Sequence, residues 1–148
     1  MKVFKQLSIL SALFLMSFSF THAQDQEVSD NDLKTFVTIY KQVQQENENL
    51  QAGMMDIVQE NGLEIERFNE IYEASMTPEK EVNASEEELK KHENAMEAIE
   101  QAQTDFQGTV TKIIEKEGFT LEKYQQVFAM LQSDEELQQK FSEFMQRG

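Results

Sequence analysis

Ser29-Asp30-Asn31-Asp32-Leu33 returns later in the chain as Ser85-Glu86-Glu87-Glu88-Leu89. Working outward from this pair, Val28–Ala74 aligns with Ala84–Met130 at a spacing of 56 residues, with no gap. Ile57-Val58 falls on Ile113-Ile114, Gly62 on Gly118, and Ile71-Tyr72 on Val127-Phe128. Leu63-Glu64-Ile65-Glu66-Arg67-Phe68 falls on Phe119-Thr120-Leu121-Glu122-Lys123-Tyr124. Only eight of the 47 positions are identical, so the repeat rests on caps, glycines and apolar positions that stay in phase. Such a repeat points to one supersecondary unit used twice.

Each copy reads as a long helix followed by a short one. Ser29 is a good N-cap, and Asp30 and Asp32 place negative charge where the helix dipole favours it. From there Leu33, Tyr40, Asn47 and Met54 share one heptad position, and Phe36, Val43, Leu50 and Ile57 the other. Val37 and Val58 widen the stripe. The spacing predicts a helix of about 29 residues, ~43 Å long, closed by Asn61-Gly62 in a left-handed cap. Gly53 inside it should cost roughly 1 kcal/mol against Ala. Ile65, Phe68, Ile71 and Tyr72 mark the short helix. Ser75–Ala84 reads as a linker, with Thr77-Pro78 suited to a turn.

In the second copy Ser85 and Glu88 form a capping box. Leu89, Met96, Gln103 and Val110 fill one heptad position, and His92, Ile99, Phe106 and Ile113 the other. Gly118 ends that helix. Thr120 caps the next, which carries Leu121, Tyr124, Val127, Phe128 and Leu131. A further helix has no counterpart in the first copy; Ser133 is its expected cap, with Glu136 completing the box, ahead of Leu137, Phe141, Phe144 and Met145. The expected fold is all-α: an antiparallel bundle of four to five helices built from two long-plus-short hairpins. A dimer paired through the long helices is the alternative, because heptads do not distinguish pairing within a chain from pairing between chains.

Residues 1–23 stand apart from this pattern. Lys2 and Lys5 precede the apolar run Leu7–Phe20, and Thr21-His22-Ala23 ends in a small residue, as in a cleaved secretory signal peptide. The run, about 14 residues, is short of the ~20 that span a bilayer. The expected organisation is therefore a signal peptide over 1–23 and one helical domain over 24–148. That domain holds the repeat 28–74 / 84–130 and a C-terminal helix over 133–147. The expected location is periplasmic or secreted, in a bacterium, with no membrane insertion after cleavage.

Removing residues 1–23 takes away two lysines and no acid, which leaves a net charge of −17 over 125 residues. So negative a chain is repelled by nucleic acid and by anionic lipid. There is no cysteine, so disulfides, thiol catalysis and iron–sulfur clusters are unavailable.

Little in the sequence suggests a reaction. His92 is the one histidine after position 23, at the heptad position that Phe36 holds in the first copy. It reads either as a ligand or pH-sensitive core group, or as a half-buried histidine at the end of a stripe, and the second is favoured. Leu89 stands three residues before it, so the Glu-x-x-His of a di-iron bundle is absent, and no haem-ligand pattern occurs. Asp30-Asn31-Asp32 and Gln59-Glu60-Asn61-Gly62 both fail the ligand spacing of an EF-hand. Glu86-Glu87-Glu88 and Asp134-Glu135-Glu136 read as acids facing helix dipoles rather than as a cation site. Asn47 and Gln103 occupy equivalent places in the two stripes; hydrogen bonding across the bundle and a place at the exposed margin both remain open for them. No Ser–His–acid arrangement is indicated. The expectation is no catalytic, cofactor-binding or metal-binding residue, no cofactor, and no enzyme.

Two blocks carry a resemblance. Val28-Ser29-Asp30-Asn31-Asp32-Leu33-x-x-Phe36 and Glu117-Gly118-Phe119-Thr120-Leu121-Glu122-Lys123-Tyr124 are similar to the opening and closing motifs of a bacterial family, domain of unknown function 4168. Ser133-Asp134-Glu135-Glu136-Leu137 looks like its closing helix. The resemblance implies an exported helical protein without assigned activity, and it carries over no site residue. Gly62 and Gly118 show the glycine motif twice, where that family leads one to expect a single clear copy.

The expected function is a non-enzymatic protein-interaction or structural module of the cell envelope, whose partner is another protein or a second copy of itself. Alternatives are a chaperone-like or stress protein, for which Met54, Met55, Met76, Met96 and Met130 would give an adaptable surface, and an acidic cation-binding protein. The matched positions are all structural. A specific site is therefore expected where the copies differ: Phe36 against His92, Gly53 against Thr109, and the added C-terminal helix.

Overall fold

The computed structural model describes residues 28–77 and 82–147. The expected signal peptide over 1–23 and Pro78 lie outside the described residues. The helices are α1 (Asp30–Glu60), α2 (Ile65–Met76), α3 (Glu86–Lys116), α4 (Leu121–Ser133) and α5 (Glu135–Arg147), with no strand among the described residues. The chain is thus an all-α bundle. α1 and α3 are 31 residues each and begin 56 apart, as do α2 and α4.

Local chemistry sets the ends of these helices. Ser29 Oγ accepts from the Asp32 amide at 3.1 Å, and Ser85 Oγ accepts from that of Glu88 at 3.2 Å. Ser85 completes its box by donating its own amide to Glu88 Oε2 at 2.8 Å. At the other ends Gly62 and Gly118 have φ of 77° and 80°, where a β-carbon would clash with the backbone. The Gly62 amide bonds Gln59 O at 2.9 Å and the Leu63 amide bonds Val58 O at 3.2 Å; Gly118 and Phe119 repeat this on Glu115 and Ile114, both at 3.0 Å. These are two complete Schellman motifs. Their apolar pairs, Val58 with Leu63 and Ile114 with Phe119, are all buried.

Two boundaries depart from expectation. α2 runs through Ser75 to Met76, into the stretch expected to be linker. Ser133 does not cap α5. It ends α4 and donates its hydroxyl to Met130 O at 3.3 Å, while Asp134 Oδ1 accepts from the Leu137 amide at 3.0 Å. Either residue type can cap; the cap at Asp134 accompanies burial of Leu137.

α1 and α3 pack on each other within the chain and run antiparallel. Phe36 and Ile39 near the start of α1 share a core with Val110 and Ile114 near the end of α3, whereas Val58 shares one with Ile99. The two copies are related by a pseudo-two-fold axis. The two cores are unequal. The larger also takes in Phe119 and Val127, and is packed by Tyr124 of α4 and Phe141 of α5. The smaller holds Val58, Leu63 and Ile99, with Phe68 beside them. α5 touches α1 and α4, and it is the one element without a counterpart.

A β-carbon built on Gly53 meets nothing within 4 Å. Helix propensity alone therefore governs this position, and Gly53→Ala should stabilise the protein by about 1 kcal/mol, read as a higher urea midpoint.

Candidate functional site

Among the described residues two ion pairs cross from one hairpin to the other. Arg67 of α2 grips Glu88 of α3, Nε to Oε1 at 2.7 Å and Nη2 to Oε2 at 3.2 Å. Lys123 of α4 pairs with Asp32 of α1. The repeat spacing of 56 turns Arg67 into Lys123 and Asp32 into Glu88, so the two pairs are one contact made twice. In each, the carboxylate that belongs to a long helix's cap also takes the cation of the other copy's short helix. Arg67 holds Glu88 well below the usual carboxylate range, to about 2, with help from the Ser85 amide. Lys123, then Ser29, holds Asp32 down. Arg67 also reaches Glu70 and Asn83 O, both at 2.8 Å, which uses the planar guanidinium fork in a way that a lysine cannot. The sequence matched the cations but did not show that they cross.

The residue after each cation is aromatic, and it stacks on the next turn of the same long helix. Phe68 lies 4.6 Å from His92, and Tyr124 lies 4.8 Å from Phe36, ring centre to ring centre. Burial pushes the Tyr124 hydroxyl up to about 12, with a smaller effect of Tyr40. His92 is buried, at 9% exposure, rather than half-buried as expected, and its Nε2 has no hydrogen-bond partner among the described residues. Burial lowers its pKa from 6.5. The unfolded chain therefore takes up this proton first as pH falls, and stability should drop from about pH 6.5 downward. Glu88 and Asp32 have lowered pKa values, so their contributions are present above the ordinary carboxylate range and are lost at lower pH. His92→Phe, which copies the Phe36 arrangement, should abolish the upper limb and leave the lower one. Urea midpoints at pH 7.5 and 5.5, converging in the variant and diverging in the parent, would show this.

A shallow groove of about 280 Å³ lies midway along the long helices, lined by Glu46, Asn49, Leu50, Gly53, Ile57, Ala102, Asp105, Phe106 and Thr109. Eight of these nine are four pairs related by the repeat, so the groove sits astride the pseudo-two-fold. Its polar groups are partly engaged: Gln101 donates to Asp105 at 3.0 Å, Asn49 donates to Glu46 at 3.4 Å, and the Thr109 hydroxyl donates to Asp105 O at 3.0 Å. Gly53 and Thr109 both line it, while His92 lies near the start of α3, outside the lining. Asn47 and Gln103 are both partly buried and do not bond each other; Gln103 Nε2 lies 4.0 Å from Met54 Sδ.

The clearest difference between the halves is at their ends. Leu33 is 0% exposed, whereas its counterpart Leu89, expected in the apolar stripe, is 48% exposed. Val37 is buried; its counterpart Glu93 is exposed. Met76 at the end of α2 is 67% exposed. α5 packs on α1 and α4, whereas among the described residues only α1 touches both α2 and α3. The heptad pattern marks Leu89 as apolar-facing without saying what covers it. The unmatched C-terminal helix was the available signal that one end has a cover and the other, among the described residues, has none.

A family model described as a domain of unknown function (DUF4168) matches residues 16–79 and 73–141. The two matched stretches overlap at 73–79, where α2 gives way to the connection between the copies. Neither a curated protein nor a solved structure matches the chain.

Proposed function

The chain belongs to the DUF4168 family, which is defined by sequence and not by an activity, and from that premise we propose that it is an exported, non-enzymatic interaction module of the bacterial cell envelope. The observation that carries this is Leu89 at the start of α3, 48% exposed where its counterpart Leu33 is fully buried. A leucine left in water at a position whose repeat counterpart is fully buried marks a surface that another protein can cover. Export is supported by Lys2, Lys5 and the apolar run before Ala23. Among the described residues no helix is long and apolar enough to cross a membrane.

The test is a photo-crosslinking amino acid placed at position 89 in cells, with the same group at exposed Glu100 as control. A discrete protein adduct from position 89 alone is the expected result. Adducts equal at both positions, or none, would overturn the reading. An adduct to a wide spread of unfolded proteins would favour the chaperone-like alternative.

A further inference from the structure

The molecule contains a template for what would cover its open end. α5 presents Leu137, Lys140, Phe141 and Phe144, spaced i, i+3, i+4 and i+7 on one helical face. Its seat on α1 is explicit. Lys140 Nζ lies 3.7 Å from Asp30, and Phe141 packs edge-on against Phe36 at 6.0 Å and Tyr40 at 5.4 Å. Lys34 Nζ sits 5.3 Å from the centre of the Phe144 ring. Gln138 then ties α5 to Leu131 O of α4 at 2.7 Å.

The repeat carries this seat to the other end nearly intact. Asp30 becomes Glu86, Leu33 becomes Leu89, Lys34 becomes Lys90, Phe36 becomes His92 and Tyr40 becomes Met96. The carboxylate, the leucine, the lysine, a flat ring and a large apolar side chain are all kept. One change is of a different kind: Val37 becomes Glu93. The vacant seat therefore carries one more negative charge than the filled one.

We infer that Glu86, Leu89, Lys90, Glu93 and Met96, above the buried His92 ring, form the seat of a short amphipathic helix from a partner protein, patterned like α5 but more basic. This rests on reading the protein as an interaction module and names the partner's chemistry. A leucine and aromatic residues at α5's spacing would fill the apolar positions. A lysine or arginine would meet Glu86, as Lys140 meets Asp30, and a second would meet Glu93. A second copy's α5 does not fit this role. It carries Glu135, Glu136 and Glu143, and leaving home would strip Phe141 from Phe36 and Tyr40 for no net gain in buried surface.

The probe is a labelled 13-residue peptide of the α5 sequence with its three glutamates replaced by lysine, added to the chain 24–148 and followed by amide NMR shifts. Binding should centre on Leu89, His92, Glu93 and Met96 and weaken with salt. Leu89→Asp should weaken it by about tenfold. Glu93→Lys, at an exposed position, should weaken binding and flatten its salt dependence, with unchanged circular dichroism. Shifts centred on Leu33, Phe36 and Tyr40 would mean that the peptide merely displaces α5. That result, no binding at about 1 mM peptide, or indifference to both substitutions would overturn the assignment. A native adduct from position 89 without peptide binding would leave the interaction reading standing and remove the basic-helix seat. Peptide binding without a native adduct would do the reverse.

Discussion

Phe36→Ala is expected to cost about 3–5 kcal/mol, the range for emptying a buried aromatic site. Phe36 is 0% exposed and is the point where three helices meet. Its ring stacks on Tyr124 of α4, packs edge-on to Phe141 of α5, and lies 6.3 Å from Tyr40 on its own helix. Each aromatic pair adds about 0.5–1.5 kcal/mol beyond burial. None of the neighbours can follow the missing ring, because each is held by its own helix. A bundle of this size has a total stability of about 5–15 kcal/mol, so the variant should be close to unfolding at room temperature. Urea denaturation at pH 7.5 measures it. A loss below about 1 kcal/mol would mean that the α1–α4–α5 junction is not the core of the fold. The counterpart substitution, His92→Ala, should cost clearly less, since that ring is covered by Phe68 without a fifth helix above it.

Ending the chain after Ser133 is the second large effect. It removes α5 and with it Leu137 and Phe141, two side chains whose burial is worth about 1.5–3 kcal/mol each. The expected loss is about 3–6 kcal/mol, together with self-association, because the surface of α1 and α4 on which α5 packs would then face water. The second copy shows how to tolerate that exposure. Glu93 stands where Val37 does, so adding Val37→Glu to the truncated chain should restore a monomer in light scattering without restoring stability. Retention of the parent's urea midpoint by the truncated chain would show that α5 is an appendage.

The parts of the fold that were legible in advance are those decided within one turn of the chain. Ser29, Ser85 and Thr120 cap, and Gly62 and Gly118 stop, because an amide or a left-handed φ has to be satisfied on the spot. Asp134 went unread as a cap because Ser133 beside it is chemically as good; what separates them is the burial of Leu137, a tertiary fact. Leu89 shows the same limit more sharply. A heptad says which way a side chain points along its own helix, and nothing about whether another helix stands there. Arg67 and Lys123 were visible as matched cations. That each reaches the other copy's cap depends on the antiparallel pairing of the long helices, which no local pattern contains. At the candidate seat, the sequence marked His92 and the unmatched helix as the places to look. The structure relates them: the helix packs on Phe36, and among the described residues no helix takes that place over His92's end.

The crossed ion pairs have a consequence for what this chain is free to become. Each short helix is pinned to the long helix of the other copy, which is the reciprocal geometry of a two-fold homodimer held here in a single polypeptide. In a homodimer every substitution appears at both ends at once, so no change can close one end and open the other. Joining the halves lifts that coupling. Phe36 can be kept for a core while His92 takes the same place elsewhere, Val37 can stay apolar while Glu93 turns to water, and a fifth helix can lie on one end alone. The division of labour between a stabilised end and an available one is open to a fused pair and closed to a symmetric one.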